Sequence, residues 1–261
     1  MLSKLKKNKS IMSYQIVILA GGKGTRMESD LPKALMPLGG STMIQTLLNN
    51  LDPKIKPIVV VGYKANKVKD VLNEQTYFAL QEEQLGTGHA VMQCKDVIEP
   101  SISEIVVLYG DQPLVDQVMV VKLLAAHRQS GGAITMGVIS VPDFKDWRIA
   151  YEKYGRVIRD HDNHVKAIVE YKDASDEVKS MTEVNPAYFV FNKEWLFENL
   201  NNLDNDNNQS EYYLTDLIKI AFEQGQLIKS VDIDPRKGLG ANTKEQLQIL
   251  EEEVLGLILA Q

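Results

Sequence analysis

Residues 18–27 read ILAGGKGTRM. Apolar and small residues run into glycines, and then Lys23 and Arg26 appear. The pattern ends a strand and opens a loop. Two familiar phosphate loops fail here on spacing. A Walker A loop needs Ser or Thr after Gly-Lys, but Gly24 follows Lys23. A dinucleotide fingerprint needs a glycine three positions after Gly24, and that position holds Met27. What remains is a glycine-rich turn followed by Thr25, Arg26 and then Lys33. Glycines let a backbone approach phosphate closely and offer it N–H donors. Arg26 and Lys33 could neutralise a triphosphate; a plain tight turn with surface charges fits the same stretch.

Outward from this turn, apolar runs alternate with helix-period stretches. Strands are expected at 15–20, 57–62, 76–80 and 104–110, and helices at 42–51, 65–74, 86–97 and near 115–130. That alternation is the mark of an α/β domain with a mostly parallel sheet flanked by helices. Ligands of such sheets sit at the carboxyl ends of the strands, where both LAGGKGTR and LYGD emerge. After about residue 132 the pattern changes. GAITMGVIS, YGRVIRD, HVKAIVEYKD and EVNPAYFVF read as mixed or antiparallel strands of a smaller, substrate-side subregion. A polar loop, NNLDNDNNQ (201–209), precedes helices at 211–224 and 243–259. The expected division is a nucleotide-binding part over 14–131, a second part over 132–242 and the final helix.

The bulk properties narrow the function. The 261 residues suffice for a sizeable core. A net charge of -6 argues against a nucleic-acid polymer as partner, while a local basic pocket for phosphates stays open. Cys94 is the only cysteine, so neither an internal disulfide nor a cysteine metal cluster can form, and a cytoplasmic location is expected. The opening MLSKLKKNKSIMS has four lysines and no apolar core, which is not a secretory signal. It is read as a disordered basic tail over 1–13, with an amphipathic membrane arm as the other reading. No apolar run reaches the roughly 18 residues a membrane span requires.

LAGGKGTRMESDLPKALMPLGG resembles the signature of the sugar-1-phosphate nucleotidyltransferases, a glycine-rich turn ending in Thr-Arg and followed by a Pro-Lys pair. QEEQLGTGHAV (81–91) is similar to the uracil-recognition segment of the bacterial bifunctional N-acetylglucosamine-1-phosphate uridyltransferases. Further matching segments follow in order: LYGDQPL, YGRVIRD, IVEYKDAS, EVN, EYYLTD and GANTKEQL. Eight ordered motifs over roughly residues 14–250 are far more specific than any one of them.

The resemblance implies a Rossmann-like nucleotidyltransferase fold and an in-line attack of a sugar-phosphate oxygen on the α-phosphate of a nucleoside triphosphate. Such chemistry needs positioning and charge neutralisation more than a protein nucleophile. Arg26 and Lys33 would hold the triphosphate and stabilise the leaving pyrophosphate; Lys23 is a weaker candidate. Asp111 and Asn242 would hold Mg²⁺, a cation that takes one or two hard protein oxygens. An Asp after a strand is also a common turn former. Leu19, Ala20, Gly21, Gly22, Tyr109 and Gly110 would line the nucleotide. Gln81, Gln84, Gly86 and Thr87 would read the base, since amides offer both donor and acceptor. In isolation the two glutamines read as surface polarity and His89 as packing. Gly155, Glu170, Asn185, Tyr213 and Thr215 would contact the sugar; a Glu on a sheet is otherwise a solvated face.

Two departures stand out. The resembled family places a glycine two residues after the Asn of EVN, where this chain has Asn185-Pro186-Ala187. Trp147 and Arg148 also make a bulkier approach to Gly155. The bifunctional enzymes carry hexapeptide repeats for acetyl transfer; none occurs in these residues, so acetyl transfer is not expected of them. Leu247, Leu250, Val254 and Ile258 recur at helical spacing and fit packing on the chain itself or a homo-oligomer contact. The expected activity is formation of UDP-N-acetylglucosamine and pyrophosphate from UTP and N-acetylglucosamine 1-phosphate. The alternatives are a GTP- or CTP-dependent relative of a surface-glycan pathway and a non-catalytic nucleotide-sugar sensor.

Overall fold

The computed structural model describes residues 13–72 and 76–259. Of the basic stretch read as a tail over 1–13, residues 1–12 lie outside the described residues and Ser13 opens the first strand; the end of the helix expected over 65–74 also lies outside them. The first strand, β1 (Ser13–Leu19), shows why a sheet forms. Ile16 and Ile18 face one side and Val17 and Leu19 the other, all 9% exposed or less. A strand apolar on both faces must be covered on both. Here one apolar cluster collects Ile16 and Ile18, and a second collects Val17 and Leu19.

After β1 come a short hairpin, β2 (Pro37–Leu38) and β3 (Ser41–Thr42), and helix α1 (Met43–Asn49). Thr42 caps that helix, its side chain accepting from the Gln45 amide. Then follow β4 (Ile58–Val61), α2 (Ala65–Leu72), β5 (Tyr77–Leu80), α3 (Thr87–Met92), β6 (Ile102–Tyr109) and α4 (Gln117–Ser130). The second half contains β7 (Ile134–Ser140), β8 (Gly155–Arg159), β9 (Val165–Val169), α5 (Asp176–Ser180), β10 (Glu183–Asn185) and β11 (Phe189–Asn192). It closes with α6 (Lys193–Asn199), α7 (Asp216–Glu223), β12 (Ile228–Asp232) and α8 (Lys244–Leu259).

The main sheet runs β5-β4-β1-β6-β11-β7-β10-β8-β9, with β12 beside β7. Strands β5, β4, β1 and β6 are parallel neighbours, as the alternation predicts. Strand β11 enters antiparallel between β6 and β7, and β10, β8 and β9 continue antiparallel beyond β7. The antiparallel subregion therefore extends the same sheet. Met43, Val68, Leu123 and Leu250 bring α1, α2, α4 and α8 onto one face. Val91, Leu196 and Leu217 bring α3, α6 and α7 onto the other. Among the described residues no helix is long and apolar enough to cross a membrane.

Some expected boundaries change. EVNPAYFVF is not one strand, because a turn at Pro186 and Ala187 divides β10 from β11. The helix expected from 211 starts only at Asp216. Residues 211–213 are irregular and 214–215 turn into the helix, with the Tyr212 amide donating to the Leu85 carbonyl and the Gly88 amide to the Tyr212 carbonyl. Helix α3 stops at Met92 and continues as turns. Helices α5 and α6 and strand β12 were not expected. In α8, Leu250 is fully buried and Leu247 and Val254 pack on the same cluster, so these three are used within the chain. The Ile258 side chain lies outside the described residues.

Candidate active site

The four parallel strands end at Leu19, Val61, Leu80 and Tyr109, and the segments leaving β1, β5 and β6 line a cavity of about 200 Å³. Leu19, Ala20, Gly21 and Gly22 form one wall, and Gln81, Gln84, Gly86 and Thr87 the other, with Tyr109 at the base. Nine of the ten residues expected to line a nucleotide are thus brought together. Gly110 lines neither this cavity nor the one beside it and donates its amide to the Leu19 carbonyl at 2.9 Å. A Cβ there would lie 3.3 Å from the Ala20 Cβ, so glycine lets β6 close against the end of β1.

Gln81 is buried, and its Nε2 donates to the Gly86 carbonyl at 2.9 Å. The surface reading of this glutamine is set aside. His89 holds glutamine amides at both ring nitrogens, Gln81 at 3.2 Å and Gln93 at 3.1 Å, and lines neither cavity; its place is structural. Thr87 accepts from the Leu214 amide at 2.9 Å, which ties the segment 211–215 to this wall of the cavity. That segment brings Glu211 into the cavity. Burial pushes its carboxyl upward, partly offset by Lys172.

A second cavity of about 320 Å³ adjoins the first and shares Lys33, Thr87, Tyr109, Asp111 and Glu211 with it. All five residues expected at the sugar line it: Gly155, Glu170, Asn185, Tyr213 and Thr215. Asn185 pairs with Gly155 across β10 and β8, and a Cβ on Gly155 would meet Ile168 at 2.9 Å and the Glu170 carboxylate at 3.4 Å. Glycine therefore keeps Glu170 open to the cleft. Thr215 Oγ1 donates to Glu170 Oε1 at 3.0 Å, while burial raises the Glu170 pKa. Trp147 and Arg148 do not line the cleft. Trp147 lies edge-on to Tyr151 and beneath Arg236, and Arg148 pairs with Asp143. The bulkier approach expected from the sequence is turned away from the site.

The junction of the two cavities carries the charges. Lys33 Nζ pairs with Asp111 Oδ2 and donates to Asn242 Oδ1 at 2.5 Å. Arg26 Nη2 reaches the same Asn242 oxygen at 3.4 Å. Gly24 makes the approach of Lys33 feasible: its φ is +66°, and a Cβ would lie 2.8 Å from the Lys33 Cβ. Asn242 comes from far along the chain because the Ala241 amide donates to the Asp111 carbonyl at 3.1 Å. Lys23 is exposed and stands 5.5 Å from the Tyr63 ring, outside both cavities. Two uncharged or anionic hard oxygens thus aim at one cationic nitrogen. That donor set suits Mg²⁺, and the ammonium marks where a cation is stabilised.

Sequence reasoning left several wall residues unassigned. Gln112, Lys153, Tyr154 and Lys172 line the sugar-side cavity. Each lies within or beside a segment already singled out, but no spacing rule distinguishes them from their neighbours.

Comparison with known proteins agrees with this geometry. Residues 16–213 match the model of the MobA-like NTP transferase domain. A bifunctional protein GlmU of Limosilactobacillus fermentum is 41% identical over 91% of this chain and 51% of its own length. One from Exiguobacterium sibiricum is 40% identical over 83% of this chain and 47% of its own. The chain thus spans about half the length of the curated relatives it matches. Among solved structures, a Bacillus anthracis protein described as a glucose-1-phosphate thymidylyltransferase superposes with a TM-score of 0.68 at 18% identity, covering 92% of this chain and 94% of its own. HddC from Yersinia pseudotuberculosis with GMP-PN gives 0.63 at 22% identity, covering 93% and 100%. Both show the shared fold. Parallel strands ending at a glycine-walled cavity, a lysine between two hard oxygens and the matched residues lead to one assignment: the chain belongs to the MobA-like NTP transferase domain family.

Proposed function

We propose that this chain is a sugar-1-phosphate nucleotidyltransferase that joins UTP and N-acetylglucosamine 1-phosphate to give UDP-N-acetylglucosamine and pyrophosphate. The carrying observation is the convergence of Asp111 and Asn242 on Lys33 where the two cavities meet. The base would lie between the 19–22 turn and the amides of Gln81 and Gln84. The triphosphate would run toward Arg26 and Lys33, and the sugar phosphate would enter from the side of Glu170 and Asn185. A sugar-phosphate oxygen then attacks the α-phosphorus as the bond to pyrophosphate breaks.

Lys33 and Arg26 supply positive charge where the leaving group gains negative charge. Mg²⁺ held by Asp111 and Asn242 would add neutralising charge to phosphate oxygens. Glu170, Thr215 and Asn185 orient the sugar so that the attacking oxygen is in line. The preference for uridine is supported by the buried Gln81 amide in the nucleotide wall, whose partners fix its orientation. The resemblance of QEEQLGTGHAV to the bifunctional N-acetylglucosamine-1-phosphate uridyltransferases supports the same direction for the sugar. A reducing cytoplasm suits the buried, reluctant Cys94 thiol, whose pKa burial pushes to about 12.

The test is pyrophosphate release by the purified protein with Mg²⁺, across four nucleoside triphosphates and a panel of sugar 1-phosphates. Turnover confined to UTP and N-acetylglucosamine 1-phosphate supports the full reading. Turnover with another pair retains nucleotidyl transfer and overturns the substrate assignment. Nucleotide binding without any release would leave a sensor.

A further inference from the structure

We infer that Ala187 is a specificity-determining residue, its methyl setting the size of the sugar substituent that the cleft admits; this rests on the sugar-1-phosphate reading above. Ala187 stands at φ +64°, in the left-handed region where an L side chain with no polar group of its own is disfavoured. Six non-glycine residues have positive φ among the described residues, and Ala187 alone of them borders either cavity. Strain of this kind persists where the surroundings over-determine it, and it concentrates at binding sites.

The surroundings here do so from three directions. Pro186 removes freedom on the preceding residue, and Gln112 Nε2 donates to the Pro186 carbonyl at 2.8 Å. Asn185 Oδ1 accepts from the Ala187 amide at 2.9 Å. Tyr188 and Phe189, which follow, are fully buried. The turn cannot relax without breaking one of these ties. Gln112 thereby also links the loop of Asp111 to the sugar side.

Location gives the strain a purpose. Across the sheet from this turn the cleft wall is Gly155, which offers no side chain. Pro186 and Ala187 border the cavity together, and Ala187 also packs against the apolar cluster beneath, so the pair makes a small apolar element among mostly polar wall residues. An apolar wall of fixed depth reads size, and one methyl group changes such discrimination by about tenfold or more. The substrate class it suits is a hexosamine 1-phosphate with a compact acyl group, with longer acyl chains rejected.

The experiment compares wild-type protein with Ala187→Gly, measuring kcat/KM for 1-phosphates of N-acetyl-, N-propanoyl- and N-butanoylglucosamine, with the nucleotide that supports turnover held saturating. The expected result is a shift of about tenfold toward the longer acyl groups in the variant, with an unchanged KM for the nucleotide. Thermal unfolding establishes that the variant is folded. Should it not fold, Gln112→Leu releases the clamp on Pro186 while keeping the methyl, and the same ratio must shift in the same direction. An unchanged ratio in a folded, active variant overturns the inference and leaves the proposed reaction standing. Wild-type protein that turns over no nucleotide with any sugar phosphate overturns the reaction itself, and the inference with it.

Discussion

Replacing Lys33 by Met should tighten Mg²⁺ binding while slowing turnover. In the ligand-free protein the Lys33 ammonium sits between Asp111 Oδ2 and Asn242 Oδ1, the two oxygens proposed to hold the metal. A cation arriving there must displace it. The Lys33 and Asp111 side chains are 17% and 15% exposed, so their pair lies between two limits. Exposed pairs contribute about 0–1 kcal/mol, and stranding one member of a fully buried pair costs about 3–5 kcal/mol. An intermediate value of about 2 kcal/mol converts to roughly 30-fold tighter metal binding once the competitor is gone. The same substitution removes positive charge from the leaving pyrophosphate, at about 3 kcal/mol or roughly a hundredfold in kcat. Calorimetric titration of Mg²⁺ into nucleotide-free wild-type and K33M protein reads the first effect, and pyrophosphate release reads the second. Metal binding that is unchanged or weaker in K33M would refute the competition, whatever happens to turnover.

Other outcomes follow from the same geometry. Gln81→Leu removes the amide at the base wall and should reduce discrimination between UTP and CTP by about tenfold or more, as judged from kcat/KM; an unchanged ratio would exclude Gln81 as a base reader. Asp216 has its pKa raised to about 6 by burial first and by the charge of Asp204 second. A carboxyl raised on folding contributes stability that is fully present below its unfolded value near 3.8 and is lost as the pH rises through about 6. Asp216→Asn should therefore gain about 1 kcal/mol on wild type between pH 4 and pH 7, after allowance for solvent screening. Denaturant unfolding at the two pH values checks this, and a pH-independent difference would count against it. Arg156 is fully buried and donates to the carbonyls of Tyr154, Glu152 and Lys179. Arg156→Ala should cost about 3 kcal/mol by stranding these acceptors, and a urea midpoint near that of wild type would contradict their importance.

The nucleotide half was legible because its signals are local. QIVILA, PIVVVG and EIVVLYG each hold at least four consecutive apolar residues, the pattern of a strand covered on both faces. The glycine-rich turn follows one of them directly. Residues 211–215 were misread for the opposite reason. EYYLTD is compatible with the start of a helix, but backbone bonds from Tyr212 to Leu85 and Gly88 delay the helix to Asp216. Those partners lie more than a hundred residues away, and no local pattern announces them. Trp147 and Arg148 were likewise placed near the cleft by chain distance from Gly155, whereas Tyr151, Arg236 and Asp143 draw them elsewhere.

By itself the sequence determined the parallel α/β half, the glycine-rich turn after its first strand and many of the residues that line the two cavities, because strand periodicity and motif order are written in consecutive positions. Tertiary structure alone decided that Asn242 meets Asp111 across Lys33, that Glu211 and Gln112 join the walls, and that Ala187 is held at a strained φ beside the second cavity. These depend on how distant segments close against one another, and that closure is set by the summed packing of the two apolar clusters rather than by any short run of residues.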